Sequence, residues 1–267
     1  MSMNATAEAR SSELDRVLDA QAQSPELAAE LFAVADLLGG QAQLRNAMGD
    51  PTVADDRRSE FATGVFGSRI GAPATAVVAA AVGLRWGSAS GLVAAIDRQG
   101  VRALLGHAHA EGTLDTVEDE LFRFGRTVLA DQALRRALDD RSAPVALRQQ
   151  LVSDLLATRA NDDTVALAQR AVSATKLSFE NAIEGYLTLA AATRARAIAT
   201  VTVARPLAQE QKERLQAALE RQLGRQVNLH VVVDPSVVGG ARVQVGDEVI
   251  EGTVAGRLAA AEKQLTQ

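Results

Sequence analysis

Two stretches of this chain repeat one another in a single register. Glu30-Leu31-Phe32 returns as Glu120-Leu121-Phe122, Leu44-Arg45 with Ala47 and Asp50 returns as Leu134-Arg135 with Ala137 and Asp140, and Ala81-Val82 returns as Ala171-Val172. The offset is 90 residues each time, with no gap. Three motifs in one register mark a duplicated unit, and whatever one copy folds into, the other must fold into as well.

Both copies carry the helical period. Leu31, Val34, Ala35 and Leu38 lie on one stripe, as do Leu121, Phe124 and Val128, and Val77, Val78, Ala81 and Val82 are echoed by Leu167, Ala168, Ala171 and Val172. Asp50-Pro51 and Ser142-Ala143-Pro144 read as helix starts, a capping side chain followed by a proline whose missing N–H costs nothing in the first turn. Asp162-Asp163 would open the next helix of the second copy. Gly39-Gly40, Gly67, Gly71 and Gly87 break the helices of the first, and the seam between copies is expected between Ala110 and Leu114, punctuated by Gly112. Each copy should be a small antiparallel bundle.

The period then changes. Val227, Leu229, Val231 and Val233 alternate as in a half-buried strand, and Ile198 to Val203 is a β-branched run ending near Pro206. Between them Leu207, Gln211, Leu215, Leu219 and Leu223 trace one helix face, closed by Gly224. Gly246-Asp247 fits a two-residue hairpin loop that sets Val243 opposite Ile250. Thr253 would cap a last helix with the stripe Val254, Leu258, Ala261 and Leu265. The expected fold is therefore mainly α with a small C-terminal α/β domain: duplicated antiparallel helical bundles over residues 1–110 and 111–196, then a β-α-β-hairpin-α domain over 197–267.

Composition narrows the function. A length of 267 residues suits more than one domain. The net charge of −5 with interspersed signs offers no basic patch for a phosphate backbone, which argues against nucleic acid. Cysteine is absent, removing disulfides and thiolate chemistry. The N-terminus lacks the pattern of a signal peptide, and the longest apolar run, Ala72 to Leu84, is too short for a membrane helix. A soluble chain is expected, reaching a membrane only through partners.

Candidate chemistry is sparse. Asp234-Pro235-Ser236-Val237-Val238-Gly239-Gly240 lacks the spacing of a phosphate loop and reads as a turn. His107 and His109 point to different helix faces and His230 stands alone, so no metal clamp forms. Asp55-Asp56, Asp115, Glu118-Asp119-Glu120, Asp139-Asp140 and Asp162-Asp163 sit mostly at helix starts, where acids favour the dipole. Trp86 is either an interface anchor or a core-edge aromatic. No catalytic residue, cofactor or metal is expected.

The C-terminal wording carries a resemblance. Arg205-Pro206-Leu207, Asp234-Pro235-Ser236 with Gly239-Gly240, Val245-Gly246-Asp247, Val249-Ile250-Glu251-Gly252-Thr253 and Gly256-Arg257-Leu258 follow one another as in the delta subunit of bacterial ATP synthase, the oligomycin-sensitivity-conferring protein family. Asp234, Pro235, Gly239, Gly240, Gly246, Asp247 and Gly252 are its structural signature. The duplication resembles the long form of actinobacterial type, free-standing rather than fused to a stalk subunit. The resemblance implies a non-catalytic stator, peripheral on the cytoplasmic side of the cell membrane, linking the alpha subunits of the catalytic head to b-type stalk subunits. It places alpha N-termini on the second copy, with Leu121, Phe122, Phe124, Leu167, Ala171 and Val172 as candidates, some of which must be core. It places the b-type stalk on the last domain, near Arg257, Glu262 and Lys263. The alternative is a helical-repeat adaptor binding partner helices in another complex, which would purify without alpha and b-type subunits.

Overall fold

The computed structural model describes residues 2–173, 177–196, 198–223, 228–234, 240–245 and 248–251. After α1 (Ser2–Asp19) come α2 (Pro25–Gly40), α3 (Ala42–Met48), α4 (Asp55–Phe66), α5 (Ala72–Gly83) and α6 (Ala89–Ala110). The second series is α7 (Leu114–Ala130), α8 (Gln132–Asp139), α9 (Val145–Leu156), α10 (Asp162–Ser173) and α11 (Phe179–Arg196). The two series share helix order, and α4 and α5 map onto α9 and α10 at both ends under the same 90-residue shift.

The repeated residues have repeated jobs. Glu30 accepts from the Gly71 N–H at 2.9 Å, and Glu120 accepts from the Asn161 N–H at 2.8 Å, so each glutamate closes the N-terminus of a later helix. Leu31 and Leu121 are fully buried. Asp50 accepts from the Thr52 N–H and Asp140 from the Ser142 N–H, both at 2.9 Å. Buried Arg58 donates to the Val82 carbonyl, and buried Arg148 to that of Val172, tying down the C-terminal ends of α5 and α10.

These bonds correct the expected helix starts. Asp50-Pro51 opens no helix: the Asp50 carboxylate turns back on Thr52, and α4 begins at Asp55. Helix α10 does open at Asp162-Asp163, and the preceding Asn161 caps it, accepting from the Asp163 N–H at 2.9 Å. Ser24 caps α2 ahead of Pro25, a signal sequence reading passed over together with α1. Gly112, at φ +71, does punctuate the α6–α7 turn.

Helix α6 serves both copies. It stands where α11 stands in the second copy, yet a 90-residue shift also carries α1 onto it, and buried Leu14 and Leu18 of α1 correspond to buried Leu104 and Ala108 of α6. It packs against α1, α2, α3 and α5, and also against α7 and α10. One continuous core accordingly runs from Leu14 to Ala190. A buried polar cluster fastens α1 to α6: Asp15 pairs with Arg98 and Arg102, accepts from Gln99 at 2.9 Å, and Arg102 reaches Asp19 at 2.9 Å.

The chain divides into two compact units at Ala190–Ala191. In the second, β1 (Ile198–Val203), α12 (Gln209–Leu223), β2 (Asn228–Val233), β3 (Ala241–Val245) and β4 (Glu248–Glu251) form a sheet in the order β2-β1-β3-β4. β1 and β2 are parallel, joined through α12, and β3 runs antiparallel to β1 and β4. Val243 faces Ile250, the register expected of the hairpin. Val201, Val203, Leu219 and Val243 make its core. Val233, expected on the buried face, is 45% exposed at the end of edge strand β2. Gly224, Val227, Pro235, Gly239, Gly246, Asp247, Gly252 and the expected last helix from Thr253 lie outside the described residues.

Candidate functional site

The six residues assigned to partner binding separate sharply. Leu121, Leu167, Ala171 and Val172 are at most 2% exposed and belong to the core, so their side chains reach no partner without opening the bundle. Phe124 is buried too, edge-on to Phe179 with ring centroids 5.6 Å apart. Phe122 alone is open, at 55%. The helical period selects an apolar stripe, and most of that stripe is what the neighbouring helices cover.

The surface of the second copy holds a groove of about 660 Å³ between α7 and the C-terminal end of α9, with Leu134 of α8 at its side. Phe124, Leu155 and Leu156 supply apolar wall, and Asp119, Arg123 and Arg159 supply charged rim. Leu155 is exposed, as is Leu147 two turns earlier on α9. Sequence reading missed these leucines because Arg148, Val152 and Leu156 take the buried side of the same helix.

A second contrast lies between Phe32 and its repeat Phe122. Phe32 is half-buried. The Arg170 guanidinium sits 4.7 Å from its ring centroid, and Arg170 also binds both oxygens of Asp36, at 2.8 and 2.9 Å, and the Asp97 carboxylate. Arg170 belongs to α10, so this contact joins the copies. Gly100 makes it possible: a Cβ there would stand 2.4 Å from the Phe32 ring. In the second copy Ala190 replaces Gly100, Arg126 replaces Asp36 and Leu187 replaces Asp97.

The carboxylates hold structure together. Asp55 pairs with Arg58 and Arg85, Asp139 accepts from the Phe179 N–H at 2.8 Å, and Asp163 lies 2.9 Å from His107 Nδ1. Trp86 sits at the core edge, its indole N–H donating to the Ala81 carbonyl at 2.7 Å. His230 is exposed. Among the described residues no group of His, Asp and Glu converges as a metal set, and no helix is long and apolar enough to cross a membrane. Of the signature, Asp234 donates its N–H to the Val203 carbonyl at 2.9 Å, and Gly240 has φ +85. Arg257, Glu262 and Lys263 lie outside the described residues.

Residues 96–265 match the family of the ATP synthase delta (OSCP) subunit. The "ATP synthase subunit delta" of Streptomyces avermitilis is 46% identical over 266 residues, 99% of this chain and 97% of that one. Those of Streptomyces coelicolor and Cutibacterium acnes are 42% and 39% identical, over 94% and 97% of this chain and 93% and 99% of theirs. Among solved structures, a chain of the Toxoplasma gondii mitochondrial ATP synthase hexamer aligns over 62% of this chain and 95% of its own, at 19% identity and a TM-score of 0.32. The chain belongs to the ATP synthase delta (OSCP) subunit family, the non-catalytic stalk subunits of the rotary ATP synthase. Within it, this is a long bacterial delta subunit of actinobacterial type. The family match begins inside α6, taking in the second copy and the sheet and leaving α1–α5 outside. The comparisons lend nothing to an adaptor of some other complex.

Proposed function

We propose that this delta subunit ties the alpha subunits of the catalytic head to the b-type stalk subunits, as a peripheral protein on the cytoplasmic side of the cell membrane. A stator needs bound helices and a stiff body rather than reactive groups. The division by role follows the chain: residues 1–110 are the added copy, 111–196 receive alpha N-terminal segments, and 197–267 anchor the stalk. The observation that carries this is the groove between α7 and α9, with Leu155 exposed on its wall, in the copy that the family match spans. An amphipathic helix laid there would bury apolar surface worth roughly 1.5–3 kcal/mol per large side chain.

Leu155→Asp tests it. An alpha N-terminal peptide should bind the variant more weakly while the melting temperature stays within a few degrees of the parent. Unchanged alpha binding would remove the groove from the reading. For the stalk, truncation after Gly252 should abolish b-type binding and leave alpha binding intact, and retention of b-type subunits at unchanged affinity would move the anchor elsewhere.

A further inference from the structure

The duplication offers an internal template for docking. In the first copy the face around half-buried Phe32 has a partner in α10 of the second copy: Arg170 stacks on the ring while binding Asp36 and Asp97. The second copy repeats that face, and there the phenylalanine stays open. Phe122 stands 55% exposed, Arg126 is exposed on the next turn of α7, and Leu129 is 38% exposed one turn further. The exchange of Gly100 for Ala190 fills the space a ring would take if placed like that of Phe32, which accounts for a ring that stays on the surface.

The charge on the two faces is opposite. Where the first offers Asp36 and Asp97 to an arginine, the second offers Arg126 and the apolar Leu187. A helix docking there in the manner of α10 must carry a carboxylate where α10 carries Arg170. An arginine would face Arg126 with no acid at either template position, and like charges at a contact disfavour it.

We propose that the Phe122–Arg126–Leu129 face of α7 is a second docking site, distinct from the α7–α9 groove, for an amphipathic helix of another subunit that presents an Asp or Glu to Arg126 and apolar side chains to Phe122 and Leu129. This deepens the reading of the second copy as the partner-binding copy and rests on it. The site is a charge-inverted repeat of the contact that joins the two copies, so it selects an acidic helix and rejects one like α10.

The probes are two peptides of residues 162–173, one native and one with Arg170→Glu, each stapled on its solvent side because so short a helix is marginal alone. Fluorescence anisotropy on the full chain should show the Arg170→Glu peptide binding about tenfold or more tighter than the native one. Arg126→Glu in the protein should reverse that order, and Phe122→Ala should weaken the preferred peptide. Circular dichroism should find both variants folded, since both side chains are on the surface. Equal affinity for the two peptides, binding of neither, or a preference that survives Arg126→Glu would overturn the proposal. An alpha N-terminal peptide separates the two readings. Sensitivity to Leu155→Asp combined with a failed peptide reversal leaves the groove standing and removes this second site.

Discussion

Replacing Arg170 with alanine should loosen the joint between the two helical copies, and the structure sets how much. The side chain is 10% exposed and holds three partners at once: Asp36, which is 62% exposed, Asp97, which is 30% exposed, and the face of Phe32. The pair with Asp36 is largely screened by water and contributes about 0–1 kcal/mol. Loss of the partner of Asp97 leaves a partly buried carboxylate uncompensated, at about 1–2 kcal/mol. The cation–π contact adds about 0.5–1 kcal/mol. The sum is about 1.5–4 kcal/mol, which for a unit of this size lowers the melting temperature by roughly 3–16 °C. Scanning calorimetry of the full chain reads that shift, and hydrogen exchange should show faster opening at α2 and α10, the helices the contact joins. Arg123→Ala is the control, since it removes only an exposed i,i+4 pair with Asp119 and should cost about 0.5 kcal/mol. If Arg170→Ala behaved like Arg123→Ala, and α2 and α10 kept their protection, the shared core around α6 would hold the copies together unaided and the reasoning would fail.

Three further outcomes are expected. Burial alone would raise the Asp15 carboxyl, but the Arg98 hydrogen bond, the Arg102 and Arg98 charges and Gln99 outweigh it and hold the group at about 2, below its ordinary 3.8. That lowered value stabilises the fold by roughly 2 kcal/mol above the unfolded value, and the contribution fades as pH falls toward 2. The stability gap between parent and Asp15→Asn in urea unfolding should therefore narrow between pH 5 and pH 2 (roughly the window set by these values), and a gap that widens on acidification would contradict the pairing. Gly100→Leu should cost about 1–3 kcal/mol by driving Phe32 off its seat, read as a lower urea midpoint, whereas an unchanged midpoint would mean the ring relocates freely. Gly240→Val should cost about 1–2 kcal/mol, because φ +85 is left-handed backbone that a β-branched residue resists, and a neutral result would show that the turn can change its conformation.

Much of the architecture is legible in the chain because it is local. Periodicity places α2, α5, α7, α10 and α12, the 90-residue register pairs α2 with α7 and α5 with α10, and alternation with a two-residue gap sets Val243 opposite Ile250. The misreadings arise where a short polar side chain has two local uses: Asp50 looks like a helix cap and instead bonds the N–H of Thr52. Helix α1, outside the motifs that repeat, gains its meaning only from α6, which it matches 90 residues on.

Which apolar residues remain on the surface is a different kind of question. Leu121 and Phe122 are neighbours in one motif, yet one is buried completely and the other stands open. Phe32 and Phe122 occupy the same place in the repeat, yet only the first is covered. The sequence by itself determined the helical duplication, the strand register and the absence of recognisable catalytic motifs, since these follow from spacing along the chain. Only the tertiary structure decided that α6 serves both copies and that Arg170 reaches Asp36 across 134 residues, with Phe32 beside it. It alone leaves Phe122 facing outward. Burial depends on what packs above a side chain, and the helical period specifies which stripe is apolar without specifying the neighbour that covers it.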